Sequence, residues 1–245
     1  MRTFIYYQIS VLVSLCIIQY VSGLLVRHMN VLVNYTRKIN HFSLFFIPLL
    51  IRQIFPIYDS FERFIFGCVL ATVELVIYIK PIRTRVPLIA TMFLSFDRPE
   101  DRPHTLFWLF TQILAGHLVL VPMVVLFVTN GLSGILMIPL LILIFGDGLA
   151  EPVGVRFGKH KYVTYSFFSR RKYVRTLEGS ACVLLASIVV VILHRPYFMP
   201  IQFVVALIAV PIIMTIVEAF SPHTWDTPTL FLAGYGSLYG IMRLV

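Results

Sequence analysis

The chain carries little charge. Only 13% of its 245 residues are Asp, Glu, Lys or Arg, whereas 59% are hydrophobic. A soluble domain ordinarily has about 25% charged residues, so this composition excludes an ordinary soluble protein. Basic residues outnumber acidic ones by 20 to 11, but no aromatic-basic motif for nucleic acid accompanies them. We therefore expect no nucleic-acid partner.

Cysteine is also scarce, and two common nucleotide-binding signatures are missing. Cys16, Cys68 and Cys182 lie in apolar runs without the spacing of metal ligands, which makes them packing residues. The sequence has neither a P-loop nor the glycine-rich loop and catalytic motifs of protein kinases. Any nucleotide site in this chain must be of another type.

Long apolar runs dominate what is present. Several approach the ~20 residues that a helix needs to cross a bilayer. The sequence predicts an all-α, polytopic transmembrane bundle, with residues 1–245 forming a single integral membrane domain. About eight spans are expected, at Phe4–Val26, Phe42–Ile57, Phe64–Ile79, Leu106–Val128, Leu132–Phe145, Leu177–Leu193, Ile201–Val217 and Pro228–Leu244.

The distribution of basic residues predicts which loops share a side. Val86–Phe96 is apolar but too short to cross, and suits an interfacial or re-entrant segment. If it does not cross, three loops lie together and hold 15 of the 20 Lys and Arg residues. By the positive-inside rule that side is cytosolic. The three loops are Arg27–His41, Lys80–His104 and Gly146–Thr176.

The segment 146–180 is the most polar part of the chain, and we expect it to form the main nucleotide- and metal-binding loop. Asp147 and Glu151 are four residues apart and would share one face of a helix. Two carboxylates with phosphate oxygens and waters suit Mg²⁺. Glycines allow the backbone to approach phosphates, and basic side chains neutralise them. The alternative is an ordinary basic cytosolic loop. The glycines are Gly146, Gly148, Gly154 and Gly158, and the basic candidates are Lys159, Lys161 and Arg175.

Three further acids lie near the expected cytosolic ends of spans. Glu178 is either an acid favoured by the helix dipole at a helix start or a catalytic group. Glu218 and Asp226 bracket a short turn and are either solvated acids or a second carboxylate pair for metal or a substrate hydroxyl. Upstream, His41 is either an interfacial residue or a phosphate and proton ligand.

These residues resemble the polyprenol, phytol and dolichol kinase family, which is distantly similar to phosphatidate cytidylyltransferases. The family pattern is roughly Gly-Asp-Gly-x-Ala-x-x-x-Gly-x-x-x-Gly-Lys-x-Lys, followed by basic-Ser/Thr-x-Glu-Gly-Ser. An early Arg-Lys-x-x-His and a late Glu and Asp complete it, and the resemblance runs from about residue 35 to the end. The matching residues are Gly146, Asp147, Gly148, Ala150, Gly154, Gly158, Lys159, Lys161, Arg175, Thr176, Glu178, Gly179, Ser180, Arg37, Lys38, His41, Glu218 and Asp226.

The resemblance implies a membrane enzyme that phosphorylates a lipid alcohol with a nucleoside triphosphate, often CTP, and Mg²⁺. Asp147, Glu151 and Glu218 would hold the metal, and Glu178 or Asp226 would act on the lipid hydroxyl. Glu151 and Thr227 depart from the family's aspartate and asparagine, and Phe167–Arg171 extends the segment before Arg175. Two alternatives remain open: a cytidylyltransferase that makes a CDP-lipid, and a non-catalytic transporter or scaffold.

Overall fold

The computed structural model describes residues 2–58, 60–167 and 172–244. Helices make up most of this chain, which confirms the all-α class. One antiparallel hairpin of two four-residue strands is the exception among the described residues. The chain divides into two compact units, Met1–Phe110 and Thr111–Val245.

The first unit is built on two long helices that lie against each other and on a short helix packed beside the first. Its core contains the aromatic rings of Tyr78, Phe93 and Phe96, with Met92 between them. A 3₁₀ turn, Glu74–Tyr78, brings Tyr78 into this core. The helices are α1 (Arg2–Met29), α2 (Val33–Ile54), α3 (Phe61–Val73), α4 (Lys80–Arg83), α5 (Pro87–Leu94) and the start of α6 (Thr105–Thr129).

The second unit carries most of the sequence-predicted site. A π-helical turn, Leu143–Asp147, joins two of its helices without a break in the helical path. The hairpin follows, and three helices then pack in succession. The elements are α7 (Met137–Ile142), α8 (Gly148–Phe157), β1 (Lys161–Thr164), β2 (Tyr173–Thr176), α9 (Leu177–Leu193), α10 (Pro200–Phe220) and α11 (Asp226–Leu244).

Helix α10 shows how the sequence fixes the packing of this unit. One stripe of residues at four-residue spacing is buried against its neighbours: Gln202, Ala206, Val210, Met214 and Glu218. The opposite face exposes large apolar side chains instead of polar ones: Ile201, Val204, Ile208, Ile212 and Ile216. Exposed apolar surface costs about 25 cal/mol per Å² in water, so this outer face is suited to a non-aqueous environment.

In the described part of the chain, four helical segments are long and apolar enough to cross a membrane. They contain three of the eight predicted spans and all but the first residue of a fourth, Leu132–Phe145. Helix α9 has the predicted bounds but is only 17 residues long. The other three predicted spans fall in α2, in α3 with its 3₁₀ extension, and in α11, which are not among the four. Val86–Phe96 contains the eight-residue α5, too short to cross. The four segments are Arg2–Met29, Thr105–Thr129, Ser133–Phe157 and Pro200–Phe220.

All three predicted basic loops contain regular structure, and Lys80–His104 includes α4 and α5. The other two are mostly helix or hairpin. The segment Arg27–His41 is mostly helical, since α1 continues to Met29 and α2 begins at Val33. The segment 146–180 is likewise not a glycine-rich loop, because α8, the hairpin and the start of α9 occupy most of it. In these two segments backbone hydrogen bonds within a helix or hairpin replace the open backbone that a phosphate loop needs.

Candidate functional site

Arg175 is the centre of a polar cluster in the second unit. Its side chain extends from β2, and its Nη1 donates to Glu218 Oε1 at 2.6 Å, at the end of α10. Its Nη2 donates to Asp226 Oδ1 at 2.5 Å, at the first residue of α11, and to the carbonyl oxygen of Ser221 at 3.2 Å. The guanidinium therefore ties the hairpin to two helices through charge-assisted hydrogen bonds.

A third acidic side chain contributes to the electrostatics of the cluster. Asp147, at the end of the π turn, acts electrostatically on both Arg175 and Glu218. Burial lowers the pKa of the Arg175 guanidinium, but Asp226 and Glu218 outweigh burial, so its pKa is raised and it stays charged. Three acidic side chains from separate elements thus act on the partly buried Arg175 guanidinium.

A chain of hydroxyl groups extends the cluster into the hairpin. Ser180 Oγ donates to Glu218 Oε2 at 2.9 Å, and Tyr162 Oη lies 2.6 Å from Ser180 Oγ. Burial and the charge of Glu218 raise the pKa of the Tyr162 hydroxyl. Because Tyr162 pairs with Arg175 in the hairpin register, both side chains leave the same face of the sheet. That face, with Tyr162 and Arg175, is the inner face of the hairpin.

The inner face continues onto the turn before α11. The Tyr173 ring stacks on His223, with ring centroids 3.6 Å apart. The backbone N–H of His223 donates to the carbonyl oxygen of Tyr165 at 2.7 Å. These contacts hold the hairpin against the α10–α11 turn and so fix the position of Arg175.

The predicted metal ligands Asp147, Glu151 and Glu218 do not form one group in the structure. Within residues 2–58, 60–167 and 172–244, no three His, Cys, Asp or Glu side chains group as metal ligands. The predicted role of Glu218 as a ligand is not supported, because its two carboxylate oxygens accept from Arg175 and Ser180. Asp147 and Glu151 remain one helical turn apart on one face, and two carboxylates are enough for Mg²⁺ when phosphate oxygens complete its coordination.

The glycines of this segment serve helix packing and not an open phosphate loop. A Cβ on Gly154 would lie 2.7 Å from Thr176 Oγ1, and one on Gly179 would lie 2.7 Å from the carbonyl oxygen of Ala150. Gly146 similarly approaches Val183 on α9, where a Cβ would lie 3.0 Å from Cα. Small residues at four-residue spacing form a stripe along one face of the helix: Gly146, Ala150, Gly154 and Gly158. This stripe lets α8 approach α9 and β2. Gly148 is the first residue of α8 and is buried.

Three sequence-predicted residues have different surroundings from those expected. Arg175 is already paired with two carboxylates, so its predicted role as a phosphate ligand is not supported. Lys161 alternates with Tyr162 along β1 and therefore leaves the opposite face of the hairpin, away from the cluster. Lys159 lies exposed between Gly158, the C-cap of α8, and the hairpin.

Glu178 has a local structural partner. Its carboxylate accepts from the backbone N–H of His160 at 3.3 Å and lies 2.8 Å from His160 Nδ1. Thr176 caps the same helix by accepting from the N–H of Gly179 at 3.1 Å. These contacts fasten the start of the hairpin to the start of α9, which favours the structural alternative for Glu178.

Arg37, Lys38 and His41 lie on α2, in the first unit. Lys38 is buried. Nearby on α2, Thr36 Oγ1 donates to the carbonyl oxygen of Ser95 at 2.8 Å. The ring of His41 packs edge-on against Phe45. The phosphate contacts expected for Arg37, Lys38 and His41 stay a prediction.

Sequence reasoning missed two members of the cluster as site residues. Tyr162 gave no signal beyond its place directly after the basic residue Lys161. Ser180 belonged to the recognised Glu-Gly-Ser element, but its bond to Glu218 spans 38 residues and depends on how α9 packs on α10. Alternation along β1 would have placed Tyr162 and Lys161 on opposite faces, had the strand been foreseen.

Comparison with known proteins finds no matching family model, no similar curated protein and no similar solved structure. The resemblance to lipid kinases therefore depends on the motif residues themselves.

Proposed function

We propose that this protein is an integral membrane, multi-pass enzyme that transfers a phosphoryl group from a nucleoside triphosphate, such as CTP, to a lipid alcohol. The observation that carries the proposal is the cluster in which Asp147, Glu218 and Asp226 surround Arg175. The motif residues of four separate segments meet there, although they are up to 79 positions apart in the sequence. A cluster assembled from motif residues of four separate segments is a candidate functional site, whereas ion pairs that are close in sequence arise locally.

The bilayer location is supported by the four long apolar segments and by the apolar outer face of α10. A lipid acceptor dissolved in the bilayer can reach a site at the helix ends without leaving the membrane. The excess of basic residues in the segments around the site favours the cytosolic side.

In the proposed reaction, the lipid hydroxyl oxygen forms a bond to the γ-phosphorus and the bond to the β–γ bridging oxygen breaks. The nucleoside diphosphate leaves with the bridging oxygen. Asp226 is favoured over Glu178 to orient the hydroxyl and accept its proton, because Glu178 is held by His160 outside the cluster. The Asp226 carboxylate accepts a hydrogen bond from Arg175 at Oδ1. We therefore assign Oδ2 as the oxygen that accepts the proton of the lipid hydroxyl.

Asp147 and Glu151 would hold Mg²⁺, which when bound neutralises the charge on the transferring phosphoryl group. Lys159 would neutralise a terminal phosphate from its exposed position beside the hairpin. Arg175 would act as a positioning residue, keeping Glu218 and Asp226 in place through the hydrogen bonds that it donates.

The test is product identification with the purified full-length protein in lipid nanodiscs. Labelled CTP or ATP, Mg²⁺ and a panel of lipid alcohols together with phosphatidate are supplied, and the products are separated. A lipid phosphate with nucleoside diphosphate supports the proposal. Pyrophosphate with a CDP-lipid replaces it by the cytidylyltransferase alternative. No lipid-dependent nucleotide turnover with any acceptor rejects both enzymes and favours a non-catalytic role.

A further inference from the structure

The two faces of the hairpin have opposite environments. On the inner face, Thr164 and Tyr173 are buried beside the cluster, in register with each other. On the other face, Val163 is 49% exposed and its partner Val174 is 62% exposed. This second face, comprising Lys161, Val163 and Val174, is the outer face of the hairpin. Its base is covered, since Thr176 packs against α8, but its middle has no covering element among the described residues.

Two valines in register present β-branched side chains to the surroundings. A half-exposed sheet ordinarily alternates buried apolar residues with solvated polar ones. Here the exposed positions at the centre of the sheet are apolar, and Tyr165, which follows β1, is 66% exposed. The pattern indicates that the outer face contacts something apolar.

The charges beside the outer face restrict what that partner is. Lys161 is exposed at one end, and Lys172, which immediately precedes β2, is exposed near the other. The strands themselves, residues 161–164 and 173–176, contain no Asp or Glu. An apolar centre with lysines beside it, and an exposed tyrosine at the edge, complements the boundary between acyl chains and anionic phosphates.

We propose that the outer face of the hairpin lies in the interfacial layer of an anionic membrane, with Val163 and Val174 against acyl chains and Lys161 and Lys172 against lipid phosphates. The inference rests on the membrane location given under the proposed function. It reassigns Lys161 from a nucleotide phosphate to a lipid phosphate. It also places the inner face, with Tyr162 and Arg175, directly beside the layer in which a lipid hydroxyl resides.

The hairpin depth is measured by quenching of a fluorophore with spin-labelled lipids. The label is attached at Val174→Cys in the full chain whose three native cysteines are replaced by alanine, reconstituted in nanodiscs of phosphatidylcholine and phosphatidylglycerol. We expect loss of fluorescence with a spin label near the headgroup and a much smaller loss with one near the acyl-chain end. A second label at Ile208→Cys, on the apolar face of α10, should show the reverse order.

The two labels separate failure of this inference from failure of the membrane location. Quenching at Ile208 without quenching at Val174 overturns the hairpin inference and leaves the location standing; the outer face then faces water or a protein partner. Quenching at Val174 alone supports the hairpin contact but rejects the spanning role of α10. No quenching at either position rejects both.

The contribution of Lys161 and Lys172 is tested with the fluorophore at the same Val174→Cys position. Replacing Lys161 and Lys172 by Glu should reduce headgroup quenching in the mixed lipid, and the milder Gln pair should do so by a smaller amount. Lys80→Glu, on α4 of the first unit, is the matched control and should leave the Val174 signal unchanged. Equal quenching in nanodiscs of phosphatidylcholine alone, with no effect of the Lys variants, would overturn the anionic part of the proposal.

Discussion

Two arginines, one buried and one partly buried, illustrate different uses of charge in this molecule. Arg98, in the first unit, pairs with Asp101 at 2.8 Å, only three residues along the chain. Arg175, in the second unit, pairs with Glu218 and Asp226, which are 43 and 51 residues away. The first pair closes a single turn, whereas the second joins a hairpin to two helices.

The difference shows which arginine depends on tertiary packing. The pair at Arg98 forms whenever residues 98–101 adopt their 3₁₀ turn, and Asp97 pairs with Arg102 beside it at 2.9 Å. The cluster at Arg175 exists only when the hairpin, α10 and α11 have packed, and Asp147 acts on it from a fourth element. Breaking this long-range pairing therefore affects more than one local turn.

Removing the central cation should give the largest effect. Arg175→Ala leaves the buried Glu218 and the partly buried Asp226 without this partner, and removing one member of a buried pair typically costs about 3–5 kcal/mol. We expect a marked fall in thermal stability of the detergent-solubilised protein. Arg98→Ala is the matched comparison, and it should cost less because one carboxylate, that of Asp101, loses this partner there instead of two. Equal losses in the two variants would mean that long-range assembly adds nothing to the Arg175 cluster.

Neutralising Asp147 should affect turnover more than folding. Asp147→Asn keeps the shape of the side chain but removes a charge that would hold Mg²⁺ and stabilise the transferring phosphoryl group. Loss of one such electrostatic contact typically costs ~10²–10³-fold in rate. The measurement is lipid phosphate formation per folded protein across a magnesium titration.

Asp101→Asn provides the control for that measurement. It disturbs a buried carboxylate of the first unit and should lower stability while leaving turnover of the folded fraction near that of the unmodified protein. Undiminished turnover of Asp147→Asn at low magnesium would remove Asp147 from the proposed metal site.

The tight contact between α8 and β2 provides the third test. Gly154→Ala places a methyl group 2.7 Å from Thr176 Oγ1, and overpacking of this kind costs about 1–3 kcal/mol. Gly236→Ala on α11 has nothing within 4 Å of its new methyl group and should stabilise by up to ~1 kcal/mol through helix propensity. Thermal unfolding of both variants decides whether the glycine pattern is explained by packing. If Gly154→Ala leaves the thermal stability unchanged, packing does not explain this glycine pattern, and the predicted phosphate-binding role is favoured again.

The sequence predicted the helical class and most of the residues that meet at Arg175, because long apolar runs and a polar motif are both local signals. It did not predict the hairpin, whose strands Lys161–Thr164 and Tyr173–Thr176 are four residues each and too short for a clear alternation. The pairing of Arg175 with Glu218 could not be predicted from the sequence either, because it depends on the packing of α9 on α10. The glycine stripe was visible as a spacing of four but was interpreted as a phosphate loop, because spacing does not show what a glycine faces.

The smallest effect is expected at the far end of the hydroxyl chain. Tyr162→Phe removes one neutral hydrogen bond to Ser180, which typically contributes about 0.5–1.5 kcal/mol to stability. Ser180 keeps its own bond to Glu218, so the carboxylate stays partnered and the Arg175 cluster should survive. Tyr165→Phe, at an exposed position of the same segment, is the control and should change stability very little. Thermal unfolding compares the two directly, and turnover is then measured on each. If Tyr162→Phe lowers turnover by orders of magnitude while its stability falls only slightly, the hydroxyl chain is part of the chemistry. If stability and turnover change no more in Tyr162→Phe than in Tyr165→Phe, Tyr162 contributes nothing to the cluster. The site then ends at Ser180.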